Sequence, residues 1–154
     1  MRRLNENTVK KHFPLPYIPT LLEDLRGGHF YTTLDLKSAF YSVGLTERAK
    51  ERSAIITASG IYLPQKMLMG LANCPSHFSH VISEVTKDLP YCRAYIDDLV
   101  IKTESKDPRV HFEHIQATMR RLHEANLRIN VLKGTFFAKE ISFANQRPQR
   151  NLLC

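Results

Sequence analysis

The sequence is poor in the residues and patterns that mark secreted or membrane proteins. Tryptophan is absent, and the three cysteines, Cys74, Cys92 and Cys154, are odd in number and widely spaced. This usage argues against a secreted disulfide scaffold and indicates a reducing compartment. No apolar run approaches the roughly 18–20 residues of a membrane-spanning helix, and no apolar core follows the basic N-terminus as it would in a signal peptide. We therefore expect an intracellular protein, in the cytoplasm or nucleus, without a membrane partner.

Acidic residues are also in deficit. Lys and Arg together number 22 against 15 Asp and Glu, which gives a formal net charge of +7. This excess favours a polyanionic partner, although charge says nothing about the fold. The 154 residues, 43% hydrophobic and 24% charged, have the composition of a globular chain and the length of one domain. The basic pairs Lys10–Lys11 and Arg120–Arg121 fit phosphate contacts, or equally an ordinary solvated surface.

The spacing of apolar residues predicts strands and helices in alternation from residue 30 onwards. Residues 30–35 are rich in aromatic and β-branched side chains, as is usual in a strand. Pro75 and the pair Asp107–Pro108 each begin a segment with apolar residues at helical spacing. Between these two helices, short apolar runs flank Asp97–Asp98 and predict a hairpin. A last strand is predicted at residues 127–131.

This order predicts the fold class and the division of the chain. Strand–helix–strand–strand–helix–strand is an α+β fold, the ferredoxin-like split βαβ arrangement, with an antiparallel sheet and two helices on one face. An additional hairpin is predicted early, at residues 53–65. We assign residues 1–19 to a basic arm and proline-rich connector, residues 20–143 to the α+β unit, and residues 144–154 to an irregular tail.

Three carboxylates are expected to meet in this fold, because the end of the first strand and the tip of the central hairpin lie side by side. Asp35 is at the first place, and Asp97 and Asp98 are at the second. Such crowding raises carboxylate pKa values or requires a cation. Mg²⁺ suits the site because it takes hard oxygen ligands and keeps room for substrate phosphates. From these residues alone, a polar turn at Asp97–Asp98 and a helix cap at Asp35 is an equally open interpretation.

Other histidines and cysteines carry weaker patterns. Cys74, His77 and His80 have a spacing that suggests zinc, but no obvious fourth ligand lies nearby, and a polar helix face is the expected outcome. His111 and His114 are expected to face solvent or phosphate. An RNA-recognition module of the RRM type would need stacked aromatics in a Lys/Arg-Gly-Phe/Tyr pattern, and the sequence has no such run.

Two sequence motifs contain the three aspartates, and a third motif lies between those two. In chain order they are Leu34-Asp35-Leu36-Lys37-Ser38-Ala39-Phe40, Met69-Gly70-Leu71-Ala72-Asn73-Cys74-Pro75-Ser76-His77-Phe78 and Tyr95-Ile96-Asp97-Asp98. They resemble the palm motifs of reverse transcriptases, and are most similar to those of gypsy-class LTR retrotransposon Pol polyproteins. The resemblance covers residues 2–143, including Arg2-Arg3-Leu4-Asn5 upstream and Leu122, Asn130 and Lys133 downstream. It implies an RNA-directed DNA polymerase that adds a deoxynucleotide to a primer 3′-OH by two-metal nucleotidyl transfer.

The resemblance also implies roles for single residues. Asp35, Asp97 and Asp98 would be the catalytic, metal-binding carboxylates, with a backbone group of Leu36 beside the metal and the incoming nucleotide. Phe40 would be the aromatic gate against a ribose 2′-OH, although a plain core aromatic is the alternative. The remaining implied nucleotide-binding residues are Met69, Gly70 and Lys133, and the implied nucleic-acid-binding residues are Arg2, Lys10, Lys11 and Tyr95.

The same resemblance implies cofactors and partners. Two Mg²⁺ ions, with Mn²⁺ as a substitute, would be the cofactors, and an RNA or DNA template, a DNA primer and a deoxynucleoside triphosphate would be the partners. Motifs of most of the fingers, and of the thumb, connection and ribonuclease H regions, do not occur in the sequence. Those Pol segments are further expected partners if they are encoded nearby. The alternative function is a catalytically inactive retrotransposon relic that folds or binds nucleic acid without polymerising.

Overall fold

The computed structural model describes residues 2–11, 13–14 and 16–141, so the predicted tail at residues 144–154 lies outside the described residues. Among the described residues, no helix has the length and apolar character that a membrane crossing requires. The helices and strands, in chain order, are α1 (Arg2–Glu6), α2 (Ile18–Asp24), β1 (Phe30–Leu36), a 3₁₀ helix (Ala39–Ser42), α3 (Glu47–Arg52), β2 (Ile55–Thr57), β3 (Gly60–Tyr62), α4 (Cys74–Thr86), β4 (Cys92–Tyr95), β5 (Asp98–Thr103), α5 (Pro108–Glu124) and β6 (Ile129–Ala138).

The central sheet has four strands in the order β4-β5-β1-β6, and every neighbouring pair is antiparallel. Strands β2 and β3 form a separate hairpin, as predicted for residues 53–65. The sheet strands and the two long helices follow each other as β1, α4, β4, β5, α5 and β6. This is the split βαβ order, and the predicted α+β fold is confirmed.

One face of the sheet forms the main core because alternate strand residues project to the same side. On β1 these are Leu34 and Leu36, and on β5 they are Leu99 and Ile101, all at most 4% exposed. They pack in one cluster with buried residues of α4 and α5, among them Phe78, Ile82, Ile115 and Leu122. Burying a side chain of this size contributes roughly 1.5–3 kcal/mol, which holds both helices on this face.

On the opposite face of the sheet, the described residues form a buried cluster at one end. Tyr31 and Val100 project from this face and pack with Leu21 and Leu25, which belong to α2 and the residue after it, and with Ile141. The other end of the same face carries partly buried polar residues, and it is the end where β1 finishes. The fold thus leaves one end of one sheet face for polar side chains.

A polar network lies within the main core. The His111 ring is fully buried, with Nε2 at 2.8 Å from Thr32 Oγ1 and Nδ1 at 2.7 Å from Thr103 Oγ1. His114 Nδ1 lies 2.8 Å from the same Thr103 hydroxyl, and its ring stacks on Tyr91. Burial, with a smaller contribution from His114, lowers the pKa of His111 to about 4. The expectation that His111 faces solvent or phosphate is therefore wrong.

Two features of the secondary structure differ from the sequence-based expectation. Helices α1 and α3 were not predicted, because both are short and charged and lack an apolar stripe; α3 depends on Thr46, whose hydroxyl accepts a hydrogen bond from Ala49 N at 3.3 Å. The last strand extends over Ile129–Ala138 rather than residues 127–131, because two irregularities in its pairing with β1 interrupt the alternation that a regular strand would show.

Candidate active site

Four side chains form a row across the open end of the sheet. Tyr95 on β4 pairs with Asp98 on β5, Asp98 pairs with Asp35 on β1, and Asp35 pairs with Asn130 on β6. Directly opposite residues of antiparallel strands project from the same face. The row therefore lies on the face opposite α4 and α5, and each of its residues is partly buried. It places two carboxylates between a phenol and a carboxamide.

Asp97 lies in the turn that joins β4 to β5, so the third carboxylate belongs to the same end of the sheet. Its backbone carbonyl accepts a hydrogen bond from Leu36 N at 3.1 Å, which ties the turn to the end of β1. Ile96, before it, has φ +56°, an unfavourable backbone conformation for a β-branched residue. The structure thus brings Asp35, Asp97 and Asp98 together, and the direct sheet neighbour of Asp35 is Asp98.

The charges at this end of the sheet repel each other. Burial, and after it the charges of Asp97 and Asp35, raise the pKa of the Asp98 carboxyl, while the charge of Lys133 opposes that rise. Within the described residues, no three His, Cys, Asp or Glu side chains are arranged to hold a metal ion by themselves. This arrangement fits Mg²⁺, which is usually bound through one or two carboxylates plus substrate phosphates rather than in a protein cage.

Lys133 approaches the carboxylates because β6 is bulged. Between its pairs with Asp35 and Thr33, four residues of β6 lie opposite a single residue of β1. Bulges of this kind re-aim side chains next to functional sites. The Lys133 ammonium nitrogen lies 3.4 Å from Asp35 Oδ1, with the two side chains 66% and 24% exposed. A largely exposed cation thus stands at the edge of the acidic row, where the resemblance implies nucleotide binding.

Phe40 lies in the 3₁₀ helix that follows β1, beyond Ser38, whose φ of 54° turns the chain. The Phe40 ring is partly buried, its centroid is 5.4 Å from that of Phe78, and it packs against the main core. The contact with the core is therefore present. The role of Phe40 as a gate for the sugar stays a prediction.

The loop before α4 carries the other implied nucleotide-binding residues. Met69 is 59% exposed, and Gly70 has φ +88°, which glycine adopts without steric cost. The Gly70 carbonyl accepts a hydrogen bond from Asn5 Nδ2 at 2.7 Å, and Asn5 Oδ1 accepts one from Ala72 N at 2.9 Å. The loop is therefore tied to the N-terminal segment, a contact that the sequence did not indicate.

The basic residues occupy different settings. Lys10 and Lys11 are exposed, and the backbone N–H of Lys11 donates to Asn73 Oδ1 at 3.0 Å, next to the same loop. Arg2 is 95% exposed and pairs with Glu6 of its own helix at 3.4 Å. Arg121 pairs with Asp88 at 2.8 Å. For this member of the pair Arg120–Arg121, the ion pair favours the interpretation as ordinary solvated surface over a phosphate contact.

Sequence reasoning assigned no role to Asn130, although the sheet places it directly beside Asp35. The signal that was missing is the register of β6, because the pairing that brings Asn130 to Asp35 depends on the bulge. Asn5 and Asn73 were also assigned no role. An asparagine that binds distant backbone groups has the same local sequence as an asparagine that caps a helix or makes a turn.

The sequence has relatives among retrotransposon polyproteins. It is 32% identical over 144 residues to the retrovirus-related Pol polyprotein from transposon gypsy of Drosophila melanogaster, and 28% identical over 142 residues to the transposon Tf2-3 polyprotein of Schizosaccharomyces pombe. These alignments cover 92% and 91% of the chain. The chain spans only 14% of the first polyprotein and 10% of the second.

The fold also has counterparts among solved structures, and the sequence matches a family. The foamy viral protease–reverse transcriptase dRH, in complex with double-stranded DNA, superposes with a TM-score of 0.85 at 20% identity, over 93% of this chain and 25% of that one. The foamy viral enzyme in complex with RNA/DNA hybrid gives a TM-score of 0.83, also at 20% identity, over 93% of this chain and 19% of that one. The profile of the family "Reverse transcriptase (RNA-dependent DNA polymerase)" matches residues 1–146. The chain therefore belongs to the reverse transcriptase family, in which its relatives are the gypsy-class retrotransposon Pol polyproteins.

Proposed function

We propose that this chain is the palm of an RNA-directed DNA polymerase, which adds a deoxynucleotide to a primer 3′-OH with release of pyrophosphate. The observation that carries the proposal is the meeting of Asp35, Asp97 and Asp98 at the end of the sheet where β1 finishes. An aspartate such as Asp98, whose pKa is raised by burial and by neighbouring carboxylates, has a use where a divalent cation balances the charge. Membership of the reverse transcriptase family supports this reading.

The residues fit Mg²⁺, or Mn²⁺ in its place. Asp35 and Asp97 would hold the ions, Asp98 would support them, and a backbone group of Leu36 would lie beside them. When bound, such ions would stabilise charge on the attacking and leaving oxygens of a phosphoryl transfer. The chain's own contribution is position and charge. Lys133 would exchange its contact with Asp35 for the triphosphate, which carries more negative charge.

The residues around the carboxylates would select and orient the substrates. Phe40, packed on Phe78, is held where its free edge would crowd a ribose 2′-OH. Met69 and Gly70 form an exposed loop that would lie under the nucleotide and the template base. Tyr95, next to Asp98 in the row, would pack near the primer end.

The expected macromolecular partner is an RNA template paired with a DNA primer, held through its backbone and shape. Arg2, Lys10 and Lys11 are exposed and would contribute phosphate contacts, which weaken as salt increases. Thumb and ribonuclease H segments of a longer Pol polyprotein would complete the grip on the duplex. DNA as a template is a further proposal of the same kind.

Primer extension tests the proposal. A homopolymeric RNA template, a DNA primer, the complementary deoxynucleotide and Mg²⁺ are incubated with the wild-type chain and with Asp97→Asn. We expect the substitution to reduce incorporation by about 100-fold or more, since it removes several kcal/mol of charge stabilisation. Asp88→Asn is the matched control, because Asp88 is an exposed aspartate whose one ion pair within the described part of the chain is with Arg121.

Two results would contradict the catalytic proposal. Equal incorporation by the wild type and Asp97→Asn would show that the carboxylates are not the source of the activity. No incorporation by either, with hybrid binding retained, would support the alternative of an inactive relic that binds nucleic acid.

A further inference from the structure

The N-terminal strap, defined as residues 2–11, is held on the palm by hydrogen bonds rather than by burial. Its helix α1 buries no residue, and five residues are too few for a helix to be stable by itself. Beneath the strap lies a cleft of about 640 Å³, lined on the strap side by Leu4 and Thr8 and on the palm side by Ala49, Met67 and Leu71. Because apolar packing is incomplete here, the position of the strap depends on its polar contacts.

Two asparagines supply those contacts in a reciprocal arrangement. Asn5 of the strap reaches the loop before α4, where its side chain pairs with the Gly70 carbonyl and the Ala72 N–H. Asn73 of the palm reaches back: its Nδ2 donates to the Val9 carbonyl at 2.9 Å, and its Oδ1 accepts from Lys11 N at 3.0 Å. Each carboxamide thus binds one backbone acceptor and one backbone donor across the interface.

Asn73 makes these contacts instead of a favourable local one. It occupies the N-cap position of α4, where asparagine is among the preferred residues, yet its side chain makes no capping hydrogen bond. Such a cap ordinarily stabilises the helix that it begins. The carboxamide is turned away from the helix and towards the strap, at the residues that flank Lys10.

Lys10 and Lys11 are the residues that this arrangement presents. Both are exposed, and neither forms an ion pair with another described residue. The backbone on either side of Lys10 is fixed by Asn73, so both ammonium groups project from a held segment beside the loop of Met69 and Gly70. A basic pair on a fixed backbone loses less conformational entropy when it binds phosphates than one on a free arm.

We propose that Asn73 is a positioning residue for nucleic-acid binding, which fixes the strap so that Lys10 and Lys11 meet the phosphates of an RNA–DNA hybrid. This inference rests on the proposed function, because it takes the hybrid as the partner. Asn73 acts through the two lysines and need not touch the nucleic acid. Asn5 holds the same strap at its other end.

The test measures binding of a fluorescein-labelled RNA–DNA hybrid to the full chain by anisotropy, over a series of salt concentrations. We expect Asn73→Ala to weaken binding about three- to tenfold at low salt and to reduce the salt slope by about one to two phosphate contacts. Asn7→Ala is the matched control, since Asn7 lies on the same strap but its side chain, as far as the described residues show, donates to the Arg3 carbonyl alone and not to the palm. We expect this control to bind as the wild type does.

A double-mutant cycle separates positioning from general destabilisation. In a chain that carries Lys10→Ala and Lys11→Ala, Asn73→Ala should cause no additional loss of affinity, because the groups it positions are gone. A purely structural role would give the same loss in both backgrounds and would overturn the proposal. Asn73→Asp, which can still cap α4 but cannot donate to Val9, serves if Asn73→Ala does not fold; Asn7→Asp controls for its added charge.

The outcomes also separate this inference from the proposed function. Equal affinity and equal salt slope in the wild type and Asn73→Ala would overturn the role of Asn73 and leave the polymerase proposal in place. A wild-type chain that binds no hybrid at any salt concentration would overturn both. Loss of hybrid affinity on Asn73→Ala in the wild-type background, with no additional loss in the Lys10→Ala/Lys11→Ala background, would support the inference as stated.

Discussion

The two faces of the central sheet use neighbouring residues of the same strands for different purposes. On β5, Leu99 faces α4 and α5 and is completely buried, whereas Asp98, one residue earlier, projects from the opposite face beside Asp35. The first face gains free energy from burial. The second collects carboxylates, and there burial and the charges of Asp97 and Asp35 raise the pKa of Asp98, which lowers stability at neutral pH.

Successive side chains of a strand project from opposite faces of the sheet, so one strand can supply apolar residues to the core on one face and carboxylates to the candidate site on the other. The acidic end of the sheet costs stability, and the apolar face offsets it. Functional sites commonly have this property, because groups that must meet a ligand are left without their best partner in the free protein. Substitutions at residues 98 and 99 should therefore change different properties of the chain.

Leu99→Ala should have the largest effect on stability. It removes a completely buried side chain from the main core, and we expect it to cost about 3 kcal/mol of unfolding free energy and about 6–12 °C in Tm. Thermal and urea denaturation followed by circular dichroism measure the loss. A cost below about 1 kcal/mol would show that this face is less tightly packed than its burial indicates.

His111 should make stability depend on pH. Its pKa is about 4 in the folded chain and about 6.5 in an unfolded one, so the unfolded state binds more protons between these values. The stability that neutral His111 contributes is complete above pH 6.5 and is lost as pH falls towards 4. We expect a slope of up to about 1.4 kcal/mol per pH unit, with a contribution of the same sign from His114, whose pKa burial also lowers.

Denaturation of His111→Leu at several pH values measures this slope. The substitution should flatten the pH dependence, and at pH 7 it should lower stability by about 2 kcal/mol, since Thr32 and Thr103 lose a buried hydrogen-bond partner. His123→Gln is the control, because His123 is exposed. An unchanged slope in His111→Leu would contradict the assignment.

Asp98→Asn should have the smallest effect on stability and the opposite sign. The raised pKa means that the ionised carboxyl is less stable in the folded chain than in the unfolded one. Removing the charge should therefore raise Tm at pH 7 by about 2 °C, and the gain should disappear at low pH, where the carboxyl is protonated in both states. A lower Tm in Asp98→Asn at pH 7 would contradict the picture of repelling charges.

The sequence predicted those parts of the fold that local chemistry determines. Pro75 and Asp107–Pro108 mark the beginnings of α4 and α5 to within one residue, since proline fits the first turn of a helix. The meeting of Asp35 with Asp97–Asp98 followed from topology, because the order of elements decides which strand ends are neighbours.

The remaining features depend on contacts between distant parts of the chain. The bulge in β6 that brings Lys133 and Asn130 to Asp35 has no local sequence mark. The spacing of His111 and His114 does not reveal which side of α5 meets the sheet. Asn73 resembles a helix cap until the strap is placed against it. In each case, a tertiary contact replaces the local interaction that the residue type favours.

Metal binding tests the central claim most directly, because it reports on the carboxylates themselves rather than on polymerisation. Mn²⁺ is titrated into the chain and the free ion is followed by electron paramagnetic resonance. Asp35→Asn and Asp97→Asn should each weaken binding by at least about tenfold, while the exposed control Asp88→Asn binds as the wild type does. Equal Mn²⁺ affinity in the wild type and in both site variants would contradict the claim that these carboxylates form a cation site.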